Sequence, residues 1–268
     1  MKLKIGIIGW GYVGQAVDAS YNLNAAHVYD PKYPEHYKRS DITIMHSVCD
    51  AIFVCVPTPQ NERGKCDTTA LDQTLTQLQG TKALVICKST APPQYYEEWE
   101  RRANFKLAHV PEFLTQARAK HDYVNPHKIV IGCKPELRDE VADVLISSLI
   151  NFERVNIEYC SIGEASFFKY MANSMLAIKV VVNNEFADLA ERMGMSWDRI
   201  SNIARTDSRL GHSHWRVPGD NGEPGYGGAC FPKDTESLLN IANQNQGRLA
   251  VLAAAMTRNH ELRKTNGT

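Results

Sequence analysis

Up to about residue 158 the apolar positions fall into short unbroken runs separated by polar, helix-compatible stretches; beyond it one long helical pattern takes over. Residues 2–8 form the first run, followed by Gly9-Trp10-Gly11-Tyr12-Val13-Gly14 and a helix-compatible stretch to Tyr21. Residues 26–29 give a second strand, which ends at Asp30. Residues 51–56 are wholly apolar, as in a parallel strand covered on both faces, and 83–87, 106–110, 128–131 and 154–158 read as further strands. Helical patterns at 69–79, 94–102 and 135–149 lie between them, and the loop-rich connection 31–50 is expected to hold one more strand at 42–45. Strands alternating with helices predict an α/β unit built on one doubly wound, mostly parallel sheet.

From 164 to 193 neither proline nor glycine interrupts an apolar, helix-compatible run of about 30 residues, some 45 Å if continuous. Its apolar residues, among them Phe167, Phe168, Met171, Leu176, Ile178, Val180, Val182, Phe186 and Leu189, occur on nearly every face, which predicts a helix buried among others. Ser196 is placed to cap a further helix to Ala204, 207–228 reads as loop, and 234–245 and 248–263 read as helices. The apolar stretch 249–256 suits a subunit interface. Two domains are therefore expected, 1–160 and an all-helical 161–268 with one long helix.

Composition narrows the partners. Lys plus Arg equals Asp plus Glu at 30 each with no basic run, so charge gives no reason to invoke nucleic acid or an anionic membrane surface. No apolar run approaches the roughly 18–20 residues that span a bilayer. The seven cysteines are odd in number and scattered, with no C-x-x-C pair, which argues against a disulfide framework or structural zinc and for a reducing compartment such as the cytoplasm. His212 and His214 alternate in a loop without a third ligand, so no metal is expected.

The N-terminal strand, glycine turn and helix, with Asp30 lying 16 residues after Gly14, make a dinucleotide-binding pattern of the Rossmann type. Gly9, Gly11, Tyr12, Val13 and Gly14 would meet the pyrophosphate, and Asp30 the adenosine ribose, with Lys32 beside its edge. A carboxylate there repels a 2′-phosphate, so NAD is favoured over NADP. Thr58 and Thr90 fall at the carboxyl ends of strands, where open α/β sheets bind ligands; Thr90 has helix capping as its alternative role. Glu112 falls at another such end.

Two features of the helical region carry chemistry. Cys230 sits in Gly225-Tyr226-Gly227-Gly228-Ala229-Cys230-Phe231-Pro232-Lys233-Asp234, where the glycines let a ligand lie against the main chain; it is the candidate nucleophile, against the commoner fate of a buried small hydrophobe. Lys169 and Asn173 are four apart on one face of the long helix and make an oxyanion site, the alternative being a snorkelling lysine and a helix–helix hydrogen bond. A nearby ammonium would also depress the Cys230 pKa.

These motifs, with Val56-Pro57-Thr58-Pro59, Lys88-Ser89-Thr90-Ala91-Pro92, Pro111-Glu112-Phe113-Leu114 and Asn125-Pro126, stand in an order that resembles the UDP-glucose/GDP-mannose 6-dehydrogenase family, over almost the whole chain. The resemblance implies a four-electron oxidation of a nucleotide sugar's C6 alcohol to a carboxylate, consuming two NAD and one water, with UDP-glucose as the closest substrate match. It implies Cys230 as the nucleophile, forming a thiohemiacetal and then a thioester, Lys169 and Asn173 as oxyanion donors, and Asp234, Glu112 and Thr90 as the groups that handle water. Asp30, Thr58, Gln116 and Lys233 would contact the cofactor. Glu112, Phe113, Leu114, Lys169, Asn173, Gly225 and Gly227 would contact the substrate, and a homodimer would form through the helical domain.

Three departures qualify the resemblance. Gln116 replaces an acid the family usually carries, leaving proton transfer to Glu112 and Asp234. The connection after Asp30 is short and its Lys32 is not at the usual lysine position. A third, C-terminal α/β domain of the family has no counterpart in these 268 residues, so the chain is expected to be either a cut form or a compact one completed by a dimer. GDP-mannose or UDP-N-acetylmannosamine as substrate, a two-electron 3-hydroxyacid dehydrogenase, and a non-catalytic NAD-binding relative are the competing readings.

Overall fold

The computed structural model describes residues 3–21, 27–33, 41–62, 64–149, 155–219 and 222–264. Contacts divide the chain into two units, Met1–Pro59 with Cys66–Lys169, and Gln60–Lys65 with Tyr170–Thr268. The first unit runs β1 (Ile5–Ile8), α1 (Tyr12–Ser20), β2 (His27–Tyr29), α2 (Ile42–Val48), β3 (Ala51–Val54), α3 (Thr69–Gln77), β4 (Leu84–Cys87), α4 (Pro93–Arg102), β5 (Leu107–His109), α5 (Ala119–Val124), β6 (Lys128–Cys133), α6 (Arg138–Ile146), β7 (Asn156–Cys160) and the start of α7 (Ile162–Arg192). The strands form one seven-stranded sheet in the order β2-β1-β3-β4-β5-β6-β7, with every described pairing parallel except β5 with β6.

The unbroken apolar runs have a simple cause. Alternate residues of each central strand serve opposite faces, and both faces are covered. Ile5, Ile7, Phe53, Leu84 and Ile86 join the core shared with Ala16, Val17, Tyr123 and Val141 of α1, α5 and α6. Ile8, Ile52, Val54, Val85 and Cys87 join the other, with Met45, Leu71, Leu75 and Trp99 of α2, α3 and α4. The sheet is thus doubly wound, as expected.

Residues 42–45 do not form a strand. They open α2, where the Asp41 carboxylate accepts from the Thr43 N–H at 3.0 Å as N-cap, and Ile42 and Met45 bury one helical turn apart. A four-residue apolar run fits either period, and the cap decides. Of the other expected strands, Ala26 and Arg154 lie outside the described residues, as do 34–40 of the connection after Asp30.

Helix α7 has the expected length but not the expected burial. Its buried stripe in the second unit is mostly small or amide-bearing (Asn173, Ser174, Ala177, Val181, Asn184, Ala187), while Met171, Met175, Val182, Phe186 and Leu189 are exposed. Small side chains let the neighbouring helices approach, and the large apolar ones fall on the opposite face. Those neighbours are α9 (Phe231–Gln244) and α10 (Ala250–Lys264), while α8 (Trp197–Ala204), capped by Ser196 as expected, follows α7 in the chain. The stretch 249–256 is partly covered within this unit. Leu252 is buried with Tyr170, Leu238 and Ile241, and Leu249 and Met256 pack against them, leaving Val251 outside at 71% exposure. Residues 60–65 join this unit where Asn240 Nδ2 donates to the Gly64 carbonyl at 3.0 Å.

The start of α7 is seated on the sheet through Gly132 of β6. A Cβ there would lie 2.5 Å from the Ala165 Cβ and 2.9 Å from the Ile162 Cα. Gly132→Ala is therefore expected to cost about 1–3 kcal/mol through overpacking. The readout is thermal unfolding, where each kcal/mol lowers Tm by roughly 2–4 °C in a chain of this size; an unchanged Tm would show the contact to be slack.

Candidate active site

The glycine turn is built as a phosphate cradle requires. Gly9 has φ +97°, and a Cβ on it would sit 2.6 Å from the Cys55 carbonyl oxygen; a Cβ on Gly14 would sit 2.0 Å from the Gly9 oxygen. Those two glycines are spent on the turn and on helix–strand packing. Gly11 differs: nothing lies within 4 Å of a Cβ built there, so it keeps the approach to the α1 N-terminus clear. Asp30 at the end of β2 accepts from the Trp10 N–H at 2.6 Å and from the Lys32 N–H at 2.9 Å, which fixes its carboxylate beside the turn; the Lys32 residue itself is exposed. A cavity of about 400 Å³ lies beside α1, lined by Tyr12, Gln15, Gln116 and Arg118 among others. These features fit a dinucleotide. A larger cavity of about 570 Å³ involves Thr81, Lys82, Phe105 and Lys106, which precede β4 and β5 and so belong to the amino edge of the sheet, away from these residues.

Farther along the carboxyl edge, Thr58 Oγ1 donates to the Thr90 carbonyl at 2.6 Å, bringing those two candidates together. The N-cap of α4 is Pro92, so helix capping does not explain Thr90. Glu112 and Lys169 meet as a buried ion pair. Lys169 Nζ donates to the Glu112 backbone oxygen at 2.6 Å and to Oε1 at 3.1 Å, while Glu112 Oε2 accepts from the Leu114 N–H at 2.7 Å and Oε1 from the Tyr12 hydroxyl at 3.3 Å. Burial pushes the Glu112 carboxyl up, but the Lys169 ammonium, the Leu114 N–H and the Lys88 charge outweigh it and hold the group below its ordinary value. Phe113 packs edge-on to Phe168 at 5.6 Å, with Lys128 Nζ 4.9 Å and Lys169 Nζ 5.2 Å from its ring centroid.

In the second unit Cys230 is the N-cap residue of α9, and the Asp234 N–H donates to its carbonyl at 2.9 Å. Asp234 is 1% exposed, and both its carboxylate oxygens are engaged: Oδ2 accepts from Asn173 Nδ2 and Oδ1 from Lys233 Nζ, each at 2.6 Å. Lys233, expected at the cofactor, thus has its ammonium on Asp234. The glycines before Cys230 have internal work as well. A Cβ on Gly225 would strike Asn259 Oδ1 at 2.4 Å, and one on Gly227 the Arg263 guanidinium at 2.9 Å, whereas nothing lies within 4 Å at Gly228. None of the seven cysteines is in a disulfide. Burial pushes the Cys49 and Cys133 thiols up to about 11 and the Cys55 thiol to about 12, which makes them packing residues rather than nucleophiles.

The family's NAD binding domain matches residues 35–149 and its central domain residues 163–261, together most of the chain. This chain belongs to the UDP-glucose/GDP-mannose dehydrogenase family. The glycine turn lies ahead of the first match and stands on its geometry. The UDP-glucose 6-dehydrogenase of Rickettsia prowazekii is 29% identical over 294 aligned residues, covering 98% of this chain and 65% of the relative. That of Pseudomonas aeruginosa is 32% identical over 225 residues, covering 78% and 48%. A UDP-glucose dehydrogenase from the archaeon Pyrobaculum islandicum shares the fold, with a TM-score of 0.81 at 23% identity over 97% of this chain and 68% of its own. The chain spans about half to two thirds of the length of these curated relatives. NAD is the cofactor of the matched N-terminal domain. Among the described residues no helix is long and apolar enough to cross a membrane.

Sequence reasoning passed over four residues of this edge. Lys88, Tyr123, His109 and Lys128 surround Glu112, Phe113 and Lys169. A lysine closing the apolar run 83–87 carried the same signal that singled out Lys169.

The glycine geometry predicts a separation of effects. Gly11→Ala should leave thermal stability near that of the parent while weakening NAD binding by at least tenfold, and Gly14→Ala should lower both. Calorimetric titration with NAD beside thermal unfolding reads the two, and a Gly11→Ala protein that binds NAD normally would show that the cofactor does not press on this turn.

Proposed function

We propose that this chain carries the chemistry of a UDP-glucose 6-dehydrogenase, oxidising the sugar's C6 alcohol to a carboxylate with two NAD and one water. Family membership and its UDP-glucose 6-dehydrogenase relatives support the reaction class. The observation that carries the assignment to these residues is the buried Asn173–Asp234–Lys233 network beginning one helical turn after Cys230. NAD, when bound, accepts hydride at each of the two oxidation stages; Gly9, Gly11, Tyr12, Val13, Gly14, Asp30, Lys32, Thr58, Thr90 and Gln116 are the residues assigned to hold it.

Once the first oxidation has given the C6 aldehyde, the Cys230 thiolate acts on it. Its sulfur adds to the C6 aldehyde, forming a C–S bond and leaving negative charge on the sugar oxygen. Lys169 has three N–H donors with two engaged on Glu112, and the Asn173 amide has two with one engaged on Asp234, so each retains a donor for that oxyanion. Loss of hydride gives the thioester. Water then attacks it, the C–S bond breaks, and the thiolate is regenerated as the carboxylate forms. Thr90 and Glu112 are assigned to positioning that water and Asp234 to taking its proton; Glu112, held below its ordinary pKa by Lys169, is suited to orienting the water rather than to taking its proton. Phe113, Leu114, Gly225 and Gly227 are assigned to the nucleotide sugar, the glycines through their backbone. The exposed apolar face of α7 (Met171, Met175, Phe186, Leu189) supports a homodimer through the helical region, and the reaction is one of the cytoplasm.

An NADH assay across UDP-glucose, GDP-mannose and UDP-N-acetylmannosamine should give turnover with UDP-glucose at two NADH per sugar. Cys230→Ala should abolish the acid product and keep NAD binding. One NADH per sugar, or turnover indifferent to Cys230, would point to a two-electron alcohol dehydrogenase, and sugar binding without NADH to a non-catalytic relative.

A further inference from the structure

The first unit buries two lysines beside one carboxylate. Lys169 is paired with Glu112; among the described residues Lys88 has no ion-pair partner. It follows Cys87, the last residue of β4, and so stands at the carboxyl edge of the sheet, 6% exposed. Its ammonium lies 5.5 Å from the centroid of the Tyr123 ring, and among the described residues it donates no hydrogen bond. The titratable groups facing it are Cys55 beyond β3, His109 and Glu112 from the end of β5, Tyr123 of α5 and Lys169 of α7. Burial holds His109 neutral, with its pKa pulled down to about 3, and keeps the Cys55 thiol protonated, which leaves two cations against one anion. An ammonium buried without an acceptor discharges more readily than one in water. Burial, with the Lys169 charge, pulls the Lys88 pKa down to about 8 against the partial compensation of Glu112.

We infer that the neutral Lys88 amine accepts the substrate proton in the first, alcohol-level oxidation, an inference that rests on the reaction proposed above. As the C6–H electron pair leaves as hydride to bound NAD, the O–H pair becomes the second C–O bond and the proton moves to Lys88 Nζ, which later returns it to water. The neighbours are poor acceptors for that proton: Glu112 is held below its ordinary pKa, the Tyr123 hydroxyl is held protonated by burial, and Lys169 is engaged on Glu112. The aldehyde stage has no such need. There the Cys230 thiolate generates an alkoxide that expels hydride without losing a proton from oxygen. Lys88 thus belongs to one half of the reaction only.

Trace acetylation with acetic anhydride from pH 6 to 11, read by mass spectrometry, measures the Lys88 amine directly. It should titrate near pH 8 in the native chain and near the ordinary lysine value in the denatured one; native titration above pH 10 overturns the proposal whether or not the chain turns over. Single-turnover oxidation of UDP-glucose should slow by about 10²–10⁴-fold in Lys88→Met, the usual worth of a general base, while oxidation of the corresponding C6 aldehyde changes far less. Lys88→Arg should not restore the alcohol step, because a guanidinium does not take up a proton. Equal slowing of both stages, or rescue by arginine, would assign Lys88 to electrostatic support and overturn its role as base. A parent chain whose Lys88 titrates near pH 8 but which oxidises neither sugar level would overturn the reaction itself, and this role with it.

Discussion

The Glu112–Lys169 ion pair is the constraint on which the carboxyl edge of the first unit depends. Two charges removed from water cost several kcal/mol each, and their attraction offsets this only where the remaining donors and acceptors are satisfied. Here they are: the carboxylate takes the Leu114 N–H and the Tyr12 hydroxyl beside the ammonium, and the ammonium takes the Glu112 carbonyl as well. The pair therefore ties three separate stretches together, namely the first residue of α1, the segment after β5 and the start of α7. Residues from the glycine turn, from a strand end and from a helix more than fifty positions later share one buried charge.

Its effect on chemistry follows from the same contacts. A carboxylate held below its ordinary pKa by a cation and an N–H is a fixed acceptor, not a proton sponge, and an ammonium with two of three donors committed points its third in a defined direction. The second unit solves a parallel problem with different residues. Asp234 is buried with an amide on one oxygen and an ammonium on the other, one turn into the helix that Cys230 opens. In both places the protein surrounds a buried carboxyl group with hydrogen-bond donors.

How much of this was legible in the chain depended on the range of the interaction. The glycine turn was readable because its requirements are local: Gly9 and Gly14 answer to backbone atoms within a few residues or on the adjacent strand, and Asp30 closes the next strand. The buried strands were readable because both faces of the sheet are covered. Residues 42–45 were misread because four apolar residues satisfy either period until Asp41 caps them. The burial of α7 was misread because apolarity does not say which face is covered, and here small residues line the covered one. Gly225 and Gly227 answer to Asn259 and Arg263, some thirty-five residues downstream, and no local rule gives that. Lys88 differs again: its identity was visible, but that no acceptor meets its ammonium among the described residues is a property of the folded edge alone.

The central claim, that Glu112 and Lys169 act as one buried unit, is tested most directly by a double-mutant cycle in denaturant unfolding on Glu112→Gln, Lys169→Met and their combination. Each single change strands a charge and should cost about 3–5 kcal/mol, while the double change should lose much less than the sum, giving a coupling of about 2–3 kcal/mol. Losses that add to within about 0.5 kcal/mol would contradict the account.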